Sequence, residues 1–225
     1  MRFHIVTILP ELCASPLTHS IVGRAQRRGL VEVELVDPRH WAAGRHRKAD
    51  DRPFGGGPGM VLAAPPIAGA LDWLATRAPQ ARRLITSPLG RKLDQAFARE
   101  LATAQDLVVI CGHYEGIDER IVDLYKPEPF SLGDYVLSGG ELAAMVLVDA
   151  VTRLVPGVLG NAESAVEDSF TADDALDHPC FTRPRSFRGL DVPQALIEGD
   201  HAGVAQWRAE RRAQAEAERR TGPTN

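Results

Sequence analysis

The 225-residue chain predicts an α/β fold built on a largely parallel sheet. Short apolar runs rich in β-branched residues recur along it, and stretches of helical period separate several of them. The composition, 44% hydrophobic and 25% charged, is that of a globular protein long enough to bury a core.

The first run, FHIVTIL over 3–9, reads as a buried strand, because His4, Pro10 and Glu11 break the apolar stretch before a secretory core could form. Residues 31–36 (VEVELV), 82–87 (RRLITS) and 106–112 (DLVVICG) supply further strands. Helices over 18–29, 66–77 and 94–104 lie between them, with Gly29 suited to stop the first and Asp94 to cap the third. A fourth helix, 141–155, is apolar around most of its circumference and belongs in a core or at a subunit interface. Beyond Pro156 the texture changes: residues 160–177 carry six acids, no base and no hydrophobic period, the mark of a linker. Residues 183–190 form a Pro- and Arg-rich turn region, and 200–220 a helix with a largely polar face. The expected organisation is an α/β domain over 1–158, a linker over 159–171 and a small helical domain over 172–225.

Charge and cysteine usage narrow the function classes. A net charge of −4 gives no global basic field, although a local basic surface is compatible with it. The longest apolar run, 142–148, is far below the roughly 20 residues that cross a bilayer, so no membrane partner is expected. Three widely spaced cysteines, Cys13, Cys111 and Cys180, suit reduced thiols in the cytoplasm. His178 and Cys180 form an H-x-C pair, but no further ligands cluster with them, and no metal site can be placed.

Four stretches could carry chemistry. In RHRKADDRPFGGGPGM, residues 45–60, Arg45, Arg47, Lys48 and Arg52 precede a glycine-rich loop; cations and backbone N–H groups together suit phosphates, and a solvated turn is the alternative. Neither a P-loop nor a G-x-G-x-x-G fingerprint fits, which weakens ATPase and dehydrogenase readings. In LVVICGHYEGIDER, residues 107–120, an apolar strand ends at Gly112, where open α/β sheets place ligands. In SLGDYVLSGGE, residues 131–141, Gly133, Gly139 and Gly140 let backbone pass close to a ligand while Leu132, Tyr135, Val136 and Leu137 offer apolar contact. That combination fits an adenosyl group, and a self-packed turn fits it equally. Arg153, near the end of a helix, and Asp168, in the acidic segment, complete the set; spacing alone does not unite them.

Taken together these words resemble the bacterial tRNA (guanine-N1)-methyltransferases, which act on guanosine 37 beside the anticodon. The matching text is HSIVGRA (19–25), DDRPFGGGPGM (50–60), SP (87–88) with GRKLDQ (90–95), CGHYEGIDER (111–120), SLGDYVLSGGEL (131–142), PGVLG (156–160), EDSF (167–170) and TRP (182–184). The resemblance implies a SPOUT-type trefoil-knotted domain, S-adenosylmethionine as methyl donor, tRNA as substrate, and a homodimer whose active site is completed by the second subunit. It implies a donor pocket lined by Gly112 and Leu132, Gly133, Asp134, Tyr135, Val136 and Leu137, with Ser87, Pro88, Tyr114, Gly139 and Gly140 nearby. Asp168 falls on the family's general base, Arg153 on its catalytic arginine, and Glu115 on a position that reads the target guanine. The basic residues Arg45, Arg47, Lys48 and Arg52 and the arginines of the last helix become tRNA contacts, and residues 159–171 a lid. Magnesium dependence is implied without a placeable site. The chain departs from the pattern at Ile85, where relatives often carry Tyr, at His113, where they usually carry Arg, and in its last helix. A knotted methyltransferase acting on another RNA nucleotide, or a non-catalytic RNA-binding relative, are the alternative readings.

Overall fold

The computed structural model describes residues 1–160, 169–170, 176–198 and 200–221. The chain divides into two compact units, Met1–Gly160 and Asn161–Asn225. In the first, β1 (Arg2–Val6), α1 (Pro10–Leu17), α2 (Ser20–Arg27) and β2 (Glu32–Val36) lead through a short 3-10 turn to the two-residue strands β3 (Asp50–Asp51) and β4 (Val61–Leu62). Then come α3 (Ala64–Arg77), β5 (Arg82–Lys92), α4 (Gln95–Ala102), β6 (Asp106–Ile110), α5 (Glu119–Tyr125), β7 (Glu128–Ser131) and α6 (Glu141–Thr152). Five strands form one sheet in the order β2-β1-β6-β5-β7, with every pairing parallel.

Strand alternation sorts the core into two layers. Phe3, Ile5, Leu84, Leu107 and Val109 face α1, α2, α4 and α6, where Cys13, Val22, Phe97, Leu101, Leu147 and Val151 are buried. Val6, Ile85, Val108 and Ile110 face the opposite way, toward Ile67, Leu71 and Leu74 of α3 and Ile121 of α5. Helices thus cover both faces, which is what a sheet of nearly continuous apolar strands requires. Gly29 ends α2 with φ 68°, and Asp94 caps α4 by accepting from Phe97 N at 2.7 Å.

Several elements were illegible in the pattern. β7 reads EPFS, with one buried residue, Phe130, and a proline; it lies at the sheet edge, where a missing N–H is tolerated. In the second unit the expected turn at 183–190 contains a hairpin of β8 (Ser186–Phe187) and β9 (Leu190–Asp191), reversed by Arg188 at φ 53° and Gly189 at φ 84°. Helices α7 (Gln194–Ile197) and α8 (His201–Thr221) follow. Asp200 caps α8 through Ala202 N at 3.1 Å and Gly203 N at 3.0 Å, while Arg212 reaches Asp177 at 3.1 Å.

A polar network closes the amino-terminal end of the sheet. His4 is 3% exposed; its Nδ1 lies 2.7 Å from Glu34 and its Nε2 3.4 Å from Asp106. Arg2 holds Asp106 at 2.6 Å, and Arg77 of α3 holds Glu34 at 2.6 Å. Burial alone pushes both carboxyls upward, but hydrogen bonds from Arg2 and His4 to Asp106, and from Arg77 and His4 to Glu34, outweigh it and leave both below the usual carboxylate range. At the opposite end of the strands, residue 140 has no room for a side chain: a Cβ would overlap the Thr86 hydroxyl and stand 3.0 Å from Cys111 Cα.

Depressed carboxyl pKa values contribute stability that is present above about pH 4 and lost as pH falls through the folded-state values. Asp106→Asn should therefore lower stability at pH 7 by about 1–3 kcal/mol, the range for a lost hydrogen bond to a charged group, and flatten its decline in acid; denaturant titrations at several pH values check both. Gly140→Ala should cost about 1–3 kcal/mol by overpacking, with part recovered in Gly140→Ala/Thr86→Ala, as read by thermal unfolding.

Candidate donor and RNA site

A cleft of about 330 Å³ opens where β6 and β7 end and β5 breaks its register with β7. Strand carboxyl ends are where open α/β sheets hold ligands, because side chains there give way to loop backbone with free N–H and C=O groups. Thr86, Ser87 and Pro88 lie within β5, where its pairing with β7 shifts register between Thr86 and Arg91; Gly112 to Gly116 follow β6, and Phe130 to Gly133 come from the end of β7 and the loop after it. Tyr135 to Gly140 and Ala143 close the remaining side.

The floor is backbone. Gly140 N donates to Gly112 O at 2.6 Å, and Gly112 N donates to the Thr86 hydroxyl at 3.0 Å. A Cβ at Gly112 would find its nearest neighbour 3.7 Å away, so protein packing does not demand glycine there. The open space leaves room for a ligand to approach the backbone closely. Along the loop after β7, Ser131 Oγ bonds Gly133 N at 3.2 Å and Tyr135 N bonds Gly133 O at 3.0 Å, folding the Tyr135 ring over Gly133. Tyr135 is 56% and Val136 92% exposed, apolar surface turned to solvent at the rim of a cavity. Tyr114 takes a left-handed backbone at φ 59°, uncommon for a bulky residue, and packs edge-on to His113 at 4.7 Å.

The glycine-rich loop is fastened to this cleft by backbone bonds. Glu115 N donates to Met60 O at 3.0 Å, Leu62 N to Gly116 O at 2.9 Å, and Asp118 N to Leu62 O at 2.9 Å. Gly59 is required here, since a Cβ would overlap the Glu115 side chain.

The structure thus brings Ser87, Pro88, Gly112, Tyr114, Glu115, Leu132, Gly133, Tyr135, Val136, Leu137, Gly139 and Gly140 to one cleft. Asp134 is exposed and does not line it. Arg45, Arg47, Lys48 and Arg52 are exposed on the strand and turn leading to the glycine-rich loop, and none makes an ion pair with the described residues. Arg153 caps the far end of α6, a helix of 12 residues. At the α-helical rise that is roughly 20 Å from Gly140, and Arg153 is not among the residues lining its own chain's cleft. Asp168 lies outside the described residues. Sequence reasoning missed two contributors: Thr86 bonds the floor, and Glu141 stands behind it, 1% exposed. His113, noted in the sequence as a departure from the family pattern, lines the cleft. An acid opening an apolar helix reads as an exposed first-turn charge, so nothing in the pattern signalled its burial.

Comparison with known proteins agrees with this architecture. Residues 1–223 match the family described as tRNA (Guanine-1)-methyltransferase TrmD. A tRNA (guanine-N(1)-)-methyltransferase of Citrifermentans bemidjiense is 51% identical over 208 residues, 92% of this chain and 83% of the relative. One of Rhodopirellula baltica is 48% identical over 213 residues, 93% and 88% of the respective chains. The crystal structure of a tRNA (m1G37) methyltransferase from Aquifex aeolicus superposes with a TM-score of 0.80 at 36% identity, covering 98% of this chain and 93% of that one. With its sheet order, its strand-end cleft and this near-complete match, the chain belongs to the tRNA (guanine-1)-methyltransferase family.

Proposed function

We propose that the chain transfers a methyl group from S-adenosylmethionine to N1 of guanosine 37 of a tRNA. The observation that carries this reading is the strand-end cleft, glycine backbone below and apolar side chains at the rim, in a chain of this family. An adenosyl group fits such a site: backbone at Leu132 to Leu137 meets the base edge, and Leu132, Tyr135 and Leu137 cover its faces. The match to this family supports a threaded, knotted arrangement of these loops.

Guanine N1 carries a proton at neutral pH and attacks only once that proton leaves, so a carboxylate is the fitting base. Asp168 would take that proton, and the donor held by the cleft residues would supply the activated methyl group to N1, with its sulfonium released as the neutral thioether. Arg153 stabilises the charge that spreads to O6. Glu115, on the cleft wall, reads the guanine edge, and Asp134, exposed beside the loop, takes a place at the donor pocket's rim. Arg45, Arg47, Lys48 and Arg52 engage the anticodon-loop phosphates, which is the use to which unpaired surface cations are suited. The α/β domain over 1–158 is then catalytic, 159–171 a lid and 172–225 an RNA-binding domain. No group of ligands suited to a metal ion occurs among the described residues, so no residue is assigned to magnesium.

The homodimer reading is supported by where Arg153 sits. Leu142 and Val146 are 50% and 47% exposed in the single chain, and with Asp149 and Arg153 they share one face of α6. A second copy packed on that face supplies Arg153 to the first copy's cleft.

Methyl transfer to a tRNA transcript bearing guanosine 37 should yield N1-methylguanosine by nuclease digestion and mass spectrometry, and a transcript changed at that base should yield none; a ribose-methylated product would overturn the reading. Asp168→Asn should lower turnover by roughly two to four decades with donor binding retained. Co-expression of a Gly140→Ala chain with an Arg153→Ala chain should restore activity that neither homodimer has, because the mixed dimer rebuilds one complete site. Failure to complement would place both groups in the same chain.

A further inference from the structure

Behind the cleft floor lies a polar cluster that the transfer reaction leaves unused. Glu141 opens α6 with 1% exposure, so its carboxylate has left water almost entirely. Its Oε1 accepts a hydrogen bond from the Thr7 hydroxyl at 2.8 Å. Its Oε2 faces His113 Nδ1 at 3.4 Å, and that buried nitrogen has no hydrogen-bond partner among the described residues. Residue 139 passes between the two, where a Cβ would overlap both His113 Nδ1 and Glu141 Oε2. His113 is bridged to Gly139 through the backbone as well, and lines the cleft beside Gly139 and Gly140. Imidazole and carboxylate therefore flank the turn that ends the loop after β7.

Resting on the methyl-donor reading of the cleft, we propose that His113 and Glu141 are a proton-dependent pair of positioning residues that hold the Gly139–Gly140 turn in its donor-binding form. A protonated imidazole donates at both nitrogens, so Nδ1 gives Glu141 a charge-assisted bond in place of the present long contact. Loss of that proton removes the charge assistance: the one remaining N–H either stays on Nδ1 as a weaker donor or sits on Nε2 and leaves Glu141, among the described residues, with the Thr7 hydroxyl. Around the pair stand Cys13 of α1 with Glu11 near it, Cys111 at the end of β6, and Tyr114, itself close to Arg39. Burial first, and the Glu141 charge second, push the Cys13 thiol to about 11 and the Cys111 thiol well above its ordinary value, so neither thiol ionises where imidazoles titrate. An arginine at residue 113 would keep its charge at every pH of interest; a histidine makes the contact titratable.

The test is calorimetric titration of the full-length protein with 5′-methylthioadenosine at intervals from about pH 5.5 to about pH 8.5, the span over which imidazoles change charge. This neutral probe lacks the donor's amino group, which itself titrates near pH 8, and lacks the sulfonium charge that His113 could repel. Affinity of the native chain should fall roughly tenfold from the acid to the alkaline end, about the contribution of one charge-assisted hydrogen bond. His113→Arg should hold the acid-end affinity throughout. Glu141→Gln should bind weakly and without pH dependence; should it not fold, the native chain and His113→Arg decide the matter alone. A flat profile in the native chain, or an unchanged slope in His113→Arg, overturns the pair while leaving the donor reading intact. Absence of binding by both the probe and S-adenosylmethionine at every pH removes the donor reading and the pair with it.

Discussion

The site depends on one close approach of backbone to backbone. Gly140 N reaches Gly112 O at 2.6 Å, and neither residue 140 nor its neighbour 139 has space for a side chain. That contact ties the end of β6 to the start of α6 and pins the Gly140 end of the loop that begins at Leu132. A ligand cavity needs fixed walls, and walls of loop backbone hold still only when something rigid is bonded behind them. Here the rigid parts are the buried strand β6 and the apolar helix α6, whose Ala144, Leu147, Val148 and Val151 are fully enclosed.

Because the floor is made of main chain, its chemistry is only indirectly visible in side-chain patterning. Strands β1, β2, β5 and β6 were legible because β-branched residues fill both faces of a covered sheet, and the carboxyl end of β6 was legible as a ligand position for the same topological reason. The glycines of SLGDYVLSGGE left turn and pocket undecided, since conformational freedom serves either. What broke the tie was the agreement of several distant words with one family, followed by the convergence of residues 86–88, 112–116 and 130–140 on one cleft. Edge strand β7 escaped notice because its proline and single buried residue do not alternate. Glu141 escaped because burial of a charge is decided by partners from β1 and from the residues beyond β6, far away in sequence.

The residues assigned to chemistry are distributed unlike those assigned to binding. Donor-cleft residues come from one unit and largely from three strand ends, whereas Arg153 stands at the opposite end of α6 from Gly140. A helix is a poor hinge, so the separation along α6 is a fixed property of the chain. In the proposed dimer such an arrangement would separate affinity from turnover, since one chain builds the cleft and the second copy supplies Arg153. The polar network of Arg2, His4, Glu34, Arg77 and Asp106 serves a different purpose at the other end of the sheet, where it holds the strand starts in register and touches no part of the cleft.

The fastening of the glycine-rich loop to the cleft wall has a consequence for how the chain tolerates change. Three main-chain bonds join Met60 and Leu62 to Glu115, Gly116 and Asp118, and none of them involves a side chain. Replacing the exposed cations Arg45, Arg47, Lys48 and Arg52 leaves that linkage intact, so the basic segment is free to vary its charge pattern while staying registered to Glu115. The buried Ala49 and Leu62 and the left-handed glycines between Gly55 and Gly59 have no such freedom. An inserted or deleted residue shifts the segment by a full step against the wall. Variation here is therefore open in the charge of the exposed positions and closed in length.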